Sequence, residues 1–194
     1  MEVIISQHRN VAARPLPARF TCSDSFVEGI NSQRDRLGKF MTLIVRKALK
    51  MDLPAIVEML TDDELGMKRE DGIRDISSYL SAFLDIDADP NQFLCVVEGD
   101  GQVVGTLQLT FIPGLSRIGT KRGQIEAVRV ARGHRNKGIG RRMFDWAIEQ
   151  CEAQNCGLVQ LTTDKARPDA HRFYESIGFE ASHVGDKLQL GERR

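Results

Sequence analysis

The stretch from Gln124 to Met143 reads Q-I-E-A-V-R-V-A-R-G-H-R-N-K-G-I-G-R-R-M, and it constrains the fold more than any other part of the chain. Its first seven residues are apolar and β-branched enough to predict a strand ending at Val130. Ile139, Met143, Phe144, Ala147, Ile148 and Cys151 then recur at helical spacing and predict an amphipathic helix over 139–154. Between them lies a short basic turn that closes on Gly138-Ile139-Gly140. A helix that begins at such a turn offers unpaired backbone N–H groups and the positive end of its dipole, which together make a seat for a phosphate or diphosphate. The glycines let a ligand approach the backbone without meeting a Cβ, and Arg135, Asn136 and Lys137 put further donors beside it. The sequence is not a P-loop, because no Gly-Lys-Ser/Thr follows. It is not a Gly-x-Gly-x-x-Gly turn either, because Gly140 is followed by Arg141, Arg142 and Met143. Taken alone, the turn reads equally well as a tight strand-to-helix connection that binds nothing.

The rest of the chain supplies a setting for that turn. Met41 opens a strand-like run through Arg46. Asp52-Leu53-Pro54 starts a helix carrying Ile56, Val57 and Leu60. An acidic stretch from Asp62 to Gly72 leads to a second helix with Ile76, Tyr79, Leu80, Phe83 and Leu84 on one face. Phe93–Glu98 reads as a strand, Gly99-Asp100-Gly101 as a hairpin turn, and Val103–Phe111 as an alternating strand with one wet face. After the central helix, Gly157 is expected to cap it in the left-handed conformation. Leu158–Thr162 is a short buried strand, Ala170, Phe173, Tyr174 and Ile177 mark a helix after Pro168, and Lys187–Leu190 reads as a last edge strand. The order β-α-α-β-β-β-α-β-α-β predicts an α/β protein (an α+β mixed sheet) with helices on both faces. Residues 1–40 lack this periodicity and are expected to be a poorly ordered N-terminal extension, with the domain occupying 41–194.

Composition removes several alternatives. With 27 basic and 27 acidic side chains the net charge is zero, which argues against a nucleic-acid-coating protein. No apolar run is long enough to cross a bilayer, so no membrane partner is expected. Cys22, Cys95, Cys151 and Cys156 show neither metal-ligand nor disulfide spacing; no metal is expected, Cys95 reads as a buried free thiol, and the cytoplasm is the default compartment.

Two segments carry a family resemblance. Val128-Arg129-Val130 followed by Arg135-Asn136-Lys137-Gly138-Ile139-Gly140 resembles the acyl-CoA motif of the GNAT superfamily of N-acetyltransferases. Ala170-His171-Arg172-Phe173-Tyr174-Glu175-Ser176-Ile177-Gly178-Phe179 resembles its second signature. The two occur in the right order within roughly residues 42–190. The resemblance implies a GNAT-like fold: a central, mostly antiparallel sheet whose fourth and fifth strands, here 124–130 and 158–162, splay apart. It implies acetyl-CoA as co-substrate. Val128, Arg129 and Val130 would pair with the pantetheine arm, and the backbone of Arg135, Asn136, Lys137, Gly138, Ile139, Gly140 and Arg141 would hold the diphosphate. Arg135 and Lys137 would add charge, with Arg141 or Arg142 reaching a phosphate; Arg132 reads as solvated surface charge. Many relatives are dimers, so a homodimer is among the expectations.

Acetyl transfer to an amine sets its own chemical demands. A free alkylamine has a reference pKa of about 10.4 and is mostly protonated near neutral pH, so a base must remove a proton before the nitrogen can attack. The oxyanion needs donors, and the departing thiolate benefits from an acid. Tyr174, at the position where relatives place a tyrosine near the thioester sulfur, suits the acid; it also reads as a core aromatic. Glu126, a carboxylate inside an apolar strand, suits the base, and partial burial would strengthen it. It reads equally as a solvent-facing residue or an ion-pair partner of Arg129. His134 and His171 read as exposed, and Asp164 and Arg167 as cleft residues or loop polarity.

The acceptor is expected to be a primary amine of a small molecule or peptide, held by Asp62–Asp75 and Phe111–Gly119. The acidic residues of the first stretch would favour a cationic amine. An alternative is a catalytically silent acyl-CoA-binding sensor or interaction module, which would keep the phosphate turn and dispense with the acid.

Overall fold

The computed structural model describes residues 28–34, 40–62, 67, 76–188 and 190, with 28–34 and 40 given by their backbone alone. Six strands form one sheet: β1 (Glu28–Arg34), β2 (Phe40–Lys47), β3 (Gln92–Gly99), β4 (Gln102–Ile112), β5 (Arg122–Val130) and β6 (Leu158–Leu161). They lie in sequence order, antiparallel throughout except for the parallel β5–β6 pair. The helices are α1 (Leu53–Thr61), α2 (Ile76–Ala88), α3 (Ile139–Ala153) and α4 (Pro168–Ser176). None among the described residues is long and apolar enough to cross a membrane.

Strand alternation divides the apolar residues between two cores. Leu43, Val45, Cys95, Val97, Leu107, Leu109 and Ile125 pack against α3 through Met143, Phe144, Trp146, Ala147 and Cys151. Leu94 and Val96 face the other way, onto Leu53, Ile56 and Phe83 of α1 and α2. Gly123 sets how closely α3 lies on β5: a Cβ there would collide with the Cys151 sulfur. The layering is therefore helix–sheet–helix, as the alternation implies. Cys95 is a fully buried free thiol, and burial pushes it up to about 12.

Four local expectations need correction. Strand β1 lies within the stretch expected to be an extension, and its antiparallel pairing with β2 ties it to the sheet; residues 1–27 lie outside the described residues. Of the expected edge strand at 187–190, the described residues Lys187, Leu188 and Leu190 are irregular and exposed. The left-handed position after α3 is taken by Asn155 at φ 56° rather than by Gly157, asparagine being the side chain that tolerates that region best after glycine. The wet face of β4 is closed at Thr106, which is buried and donates its hydroxyl to the Cys95 carbonyl at 2.8 Å.

The entry to α1 is fixed by charge. Asp52 is 5% exposed, and it accepts from both Arg46 Nη atoms (2.7 and 2.9 Å) and from the Leu49 amide (2.7 Å); Arg46 Nε donates to Glu98 at 3.0 Å. Burial works to raise the Asp52 carboxyl, but the bonds from Arg46 and Leu49 outweigh it and the net displacement is downward. A lowered carboxyl contributes stability that is present above the unfolded value of about 3.9 and is lost as pH falls through the folded one. Asp52→Ala is expected to destabilise the fold by about 2 kcal/mol, because it strips a half-buried guanidinium and a helix-entry amide of their acceptor. A denaturation midpoint within error of wild type would remove that role.

Candidate active site

The site begins where β5 and β6 part. Their parallel pairing runs from Arg122 opposite Leu158 to Ile125 opposite Leu161 and stops, while β5 continues to Val130. Glu126 to Val130 therefore keep β4 on one edge and have no strand on the other among the described residues. These are the two strands expected to splay; they are fifth and sixth here because β1 precedes them. A strand edge left this way offers free N–H and C=O groups to an extended ligand.

A bulge marks the same place. Thr106 pairs with Arg129 and Gln108 with Glu126, so β5 spends two residues, Ala127 and Val128, where β4 spends Leu107. Ala127 takes φ 51°, a conformation that costs a residue with a Cβ about 1–2 kcal/mol. The extra residue resets the alternation. Ile125, Val128 and Val130 all pack against the α3 core, which leaves Glu126 and Arg129 as neighbours on the opposite face.

After β5 the chain makes the basic turn. A short 3-10 turn at Arg132–His134 leads to Asn136 at φ 60° and Gly138 at φ 74°, the residue that caps α3. The first main-chain bond of the helix is from the Arg142 N–H to the Gly138 carbonyl (3.1 Å), so the N–H groups of Ile139, Gly140 and Arg141 have no intrahelical acceptor. Arg142, next along the helix, has a buried Nε with no partner among the described residues. Helix α4 packs here as well: a Cβ on Gly140 would lie 3.6 Å from the Phe173 ring. Free amides, a glycine cap and an unsatisfied guanidinium nitrogen fit a diphosphate.

The cations of the turn are distributed differently from expectation. Arg135, expected to add charge to the diphosphate, gives Nε to the Val130 carbonyl (3.1 Å) and Nη2 to Asp62 Oδ2 (2.6 Å). Arg132, read as solvated surface charge, is exposed, and its Nη2 reaches Asp62 Oδ1 at 2.9 Å. Asp62, counted in the acidic rim, therefore spends its carboxylate bridging α1 to the turn. The other rim residues, Asp63, Glu64, Glu70, Asp71 and Asp75, lie outside the described residues. Arg141 pairs with Asp145 one turn along its own helix at 3.3 Å. Lys137 is half-buried in the turn.

Tyr174 sits on α4 in an aromatic cluster, with ring centroids 5.5 Å from Phe144, 5.6 Å from Phe173 and 6.3 Å from Phe179. It is half-buried. Burial raises its phenol, the positive charges of Arg167 and Arg129 oppose that, and the net displacement is upward; the hydroxyl stays protonated at neutral pH. Glu126 is exposed and opposite Gln108, not partly buried as a strengthened base would be. His134 and His171, both expected to be exposed, are half-buried; His171 Nε2 lies 3.1 Å from the Asp164 carbonyl. The loop between β4 and β5 holds a left-handed turn, with Arg117, Ile118 and Gly119 all at positive φ and with Leu115 and Ile118 fully exposed.

Sequence reasoning missed one group of residues here. On the face that carries Glu126, Gln108 Nε2 (3.0 Å) and Thr110 Oγ1 (2.7 Å) donate to Gln92 Oε1, and Gln160 Nε2 donates to Gln124 Oε1 at 2.6 Å. The recurrence of glutamine at 108, 124 and 160 was a visible signal, but only the strand register brings those positions together.

A strand that parts from its neighbour at a bulge and runs into a glycine-capped helix start is the arrangement that the GNAT resemblance implies. The model of the acetyltransferase (GNAT) family matches residues 53–179, and the chain belongs to that family. Aminoalkylphosphonate N-acetyltransferase of Salmonella typhimurium is 30% identical over 109 residues, covering 56% of this chain and 70% of that protein. Streptothricin acetyltransferase of Streptomyces lavendulae is 28% identical over 138 residues, 71% of this chain and 64% of that one. Among solved structures, one from Bacillus halodurans C-125 described as a transcriptional regulator superposes with a TM-score of 0.73 at 46% identity, covering 76% of this chain and 99% of its own.

Proposed function

We propose that the protein transfers an acetyl group from acetyl-CoA to the primary amine of a small molecule or peptide by direct attack. The observation that carries this reading is the free edge of β5 running into the glycine-capped start of α3. The edge of Val128–Val130 would pair with the pantetheine amides, and the N–H groups of residues 139 to 141, backed by Arg142, would take the diphosphate. Arg135 serves first as the tether between the turn and Asp62.

Starting from the ammonium, the nitrogen gives up two protons on its way to the amide and the sulfur gains one. Glu126, exposed beside the bulge, takes a proton from the acceptor ammonium, directly or through water. The neutral nitrogen attacks the thioester carbonyl, and a backbone N–H of the β5 edge donates to the oxyanion. The C–S bond breaks as the amide forms, the second proton of the nitrogen passes to water, and Tyr174 gives its proton to the departing sulfur. Water re-protonates the phenolate. No covalent enzyme intermediate is involved, which agrees with buried, weakly acidic thiols at Cys95 and Cys151.

Glu126→Gln is expected to lower kcat/KM and to abolish the acidic limb of its pH profile, with acetyl-CoA affinity held. A variant profile that superimposes on wild type would remove Glu126 as the base. The whole reading is tested by following thiol release from acetyl-CoA across a panel of amines, with calorimetric titration of coenzyme A alongside. Absence of saturable binding at millimolar coenzyme would overturn it.

A second reading, a binding module without turnover, draws on the description of the Bacillus halodurans relative as a transcriptional regulator. Tyr174, proposed here as the acid and held protonated by its burial, weighs against it. Coenzyme binding with no thiol release for any amine would favour this second reading.

A further inference from the structure

Two free thiols meet at the far end of α3. Cys151 lies in the last turn of the helix and is 1% exposed; Cys156 follows the helix end and is half-buried. A spacing of five matches no disulfide pattern, so only the fold shows the pairing. The Cys156 N–H donates to the Cys151 carbonyl and the Asn155 N–H to the Glu152 carbonyl, both at 2.9 Å, with Asn155 at φ 56°. Those two bonds around a left-handed residue make a Schellman ending, which folds the chain after the cap back onto the last turn. A disulfide needs α-carbons about 4.4–6.8 Å apart, and a bond from the amide of one cysteine to the carbonyl of the other keeps these two close.

Any two aliphatic side chains could make the apolar contact that such an ending favours. Three observations go beyond that contact. The Cys151 S–H donates to the Cys156 sulfur, so the thiols lie within reach of each other. Their access is unequal: the Cys151 sulfur is sealed against β5, where a Cβ on Gly123 would collide with it, while Cys156 keeps a route to solvent. Burial raises the Cys156 thiol, and the charge of Lys121 beside it works the other way and favours the thiolate. An accessible sulfur backed by a sealed one is the arrangement of a dithiol that exchanges with disulfides.

We propose that Cys156 and Cys151 form a redox clasp, oxidised by low-molecular-weight disulfides to an intramolecular bond that ties the end of α3 to the start of β6. The Cys156 thiolate attacks one sulfur of the small disulfide, forming a mixed disulfide and releasing a thiolate. Cys151 then loses its proton to water, attacks the Cys156 sulfur and releases the second thiolate. Two protein thiols are oxidised, and the small disulfide is reduced to two thiols. Burial pushes the Cys151 thiol up to about 12, so the second step relies on proximity rather than on acidity. Gly157, next in the chain, donates its N–H to the Lys121 carbonyl at 2.8 Å, and Leu158 opposite Arg122 begins the β5–β6 pair. The clasp fastens the helix where those strands join, at the end away from the coenzyme edge, and does not depend on the acetyltransferase reading.

The test treats the folded full chain with millimolar glutathione disulfide, quenches with acid, alkylates the free thiols and maps peptides by mass. Trypsin cuts after Arg142 and Lys165 and leaves both cysteines in one peptide, 143–165. That peptide should return unalkylated and lighter by two hydrogens, and dithiothreitol should restore both thiols. Closing this short loop without strain should raise Tm by roughly 4–8 °C. Cys151→Ala should stop at the first step and hold glutathione on Cys156. Recovery of peptide 143–165 with both thiols free, glutathione left on Cys156 of the wild type, or a Tm that does not rise would overturn the proposal. The wild-type mapping stands even where the alanine variant does not fold.

Discussion

Gly138→Val is expected to weaken acetyl-CoA binding at least about 100-fold in calorimetric titration. Gly138 holds φ 74° and ψ −1° at the cap of α3. A β-branched residue in that region costs about 2 kcal/mol, and the chain escapes the cost by turning the cap. Turning it re-aims the N–H groups of Ile139, Gly140 and Arg141, which are the proposed grip on the diphosphate. The glycine at 133 makes a matched control, because a Cβ there would meet open space and its backbone is not left-handed. Gly133→Ala should bind the coenzyme within about twofold of wild type. Equal affinities for the valine variant and wild type, with both folded by circular dichroism, would place the diphosphate somewhere else.

Tyr174→Phe carries the second large effect. The ring contacts with Phe144, Phe173 and Phe179 do not need the hydroxyl, so the fold and the coenzyme affinity should hold. Turnover should fall about 100-fold, the usual scale for one positioned acid. The pH profile carries a separate sign. The phenol acts while protonated, and its burial raises the value at which the proton leaves. The wild-type rate should therefore persist through neutral pH and decline only as pH rises past the ordinary tyrosine value of about 10. The phenylalanine variant should lack that decline. A fall in coenzyme affinity matching the fall in rate would make Tyr174 a packing residue.

What the sequence disclosed and what it hid follow from the range of the forces involved. The β5–turn–α3 junction was legible because every signal in it is local: β-branched residues, a glycine cap, then helical spacing. The two cores were legible from alternation and periodicity. The role of Arg135 was not, because Asp62 lies 73 positions away in sequence and charge pairing carries no periodicity. Glu126 was visible as a carboxylate in an apolar strand, but its exposure depends on a bulge that no residue type at 126–128 announces. The glutamine group on the face of Glu126 needed four strands in register before it existed. Strand β1 was hidden because Glu28–Arg34 is polar and lacks the alternation that marks a half-buried strand.

The additional residue in β5 at Ala127 makes chain length, rather than any one side chain, the guardian of this architecture. Remove one residue between Glu126 and Arg129, and β5 could pair with β4 without interruption. Arg129 would still stand opposite Thr106 and Val130 opposite Gly105, so their faces would be kept; what would be lost is the positive-φ kink at Ala127 and the bend and added twist that a bulge gives its strand. Substitutions at these positions are open to drift as long as their number is kept, whereas a single-codon deletion there would straighten the strand edge proposed to meet the coenzyme while leaving the interior in place.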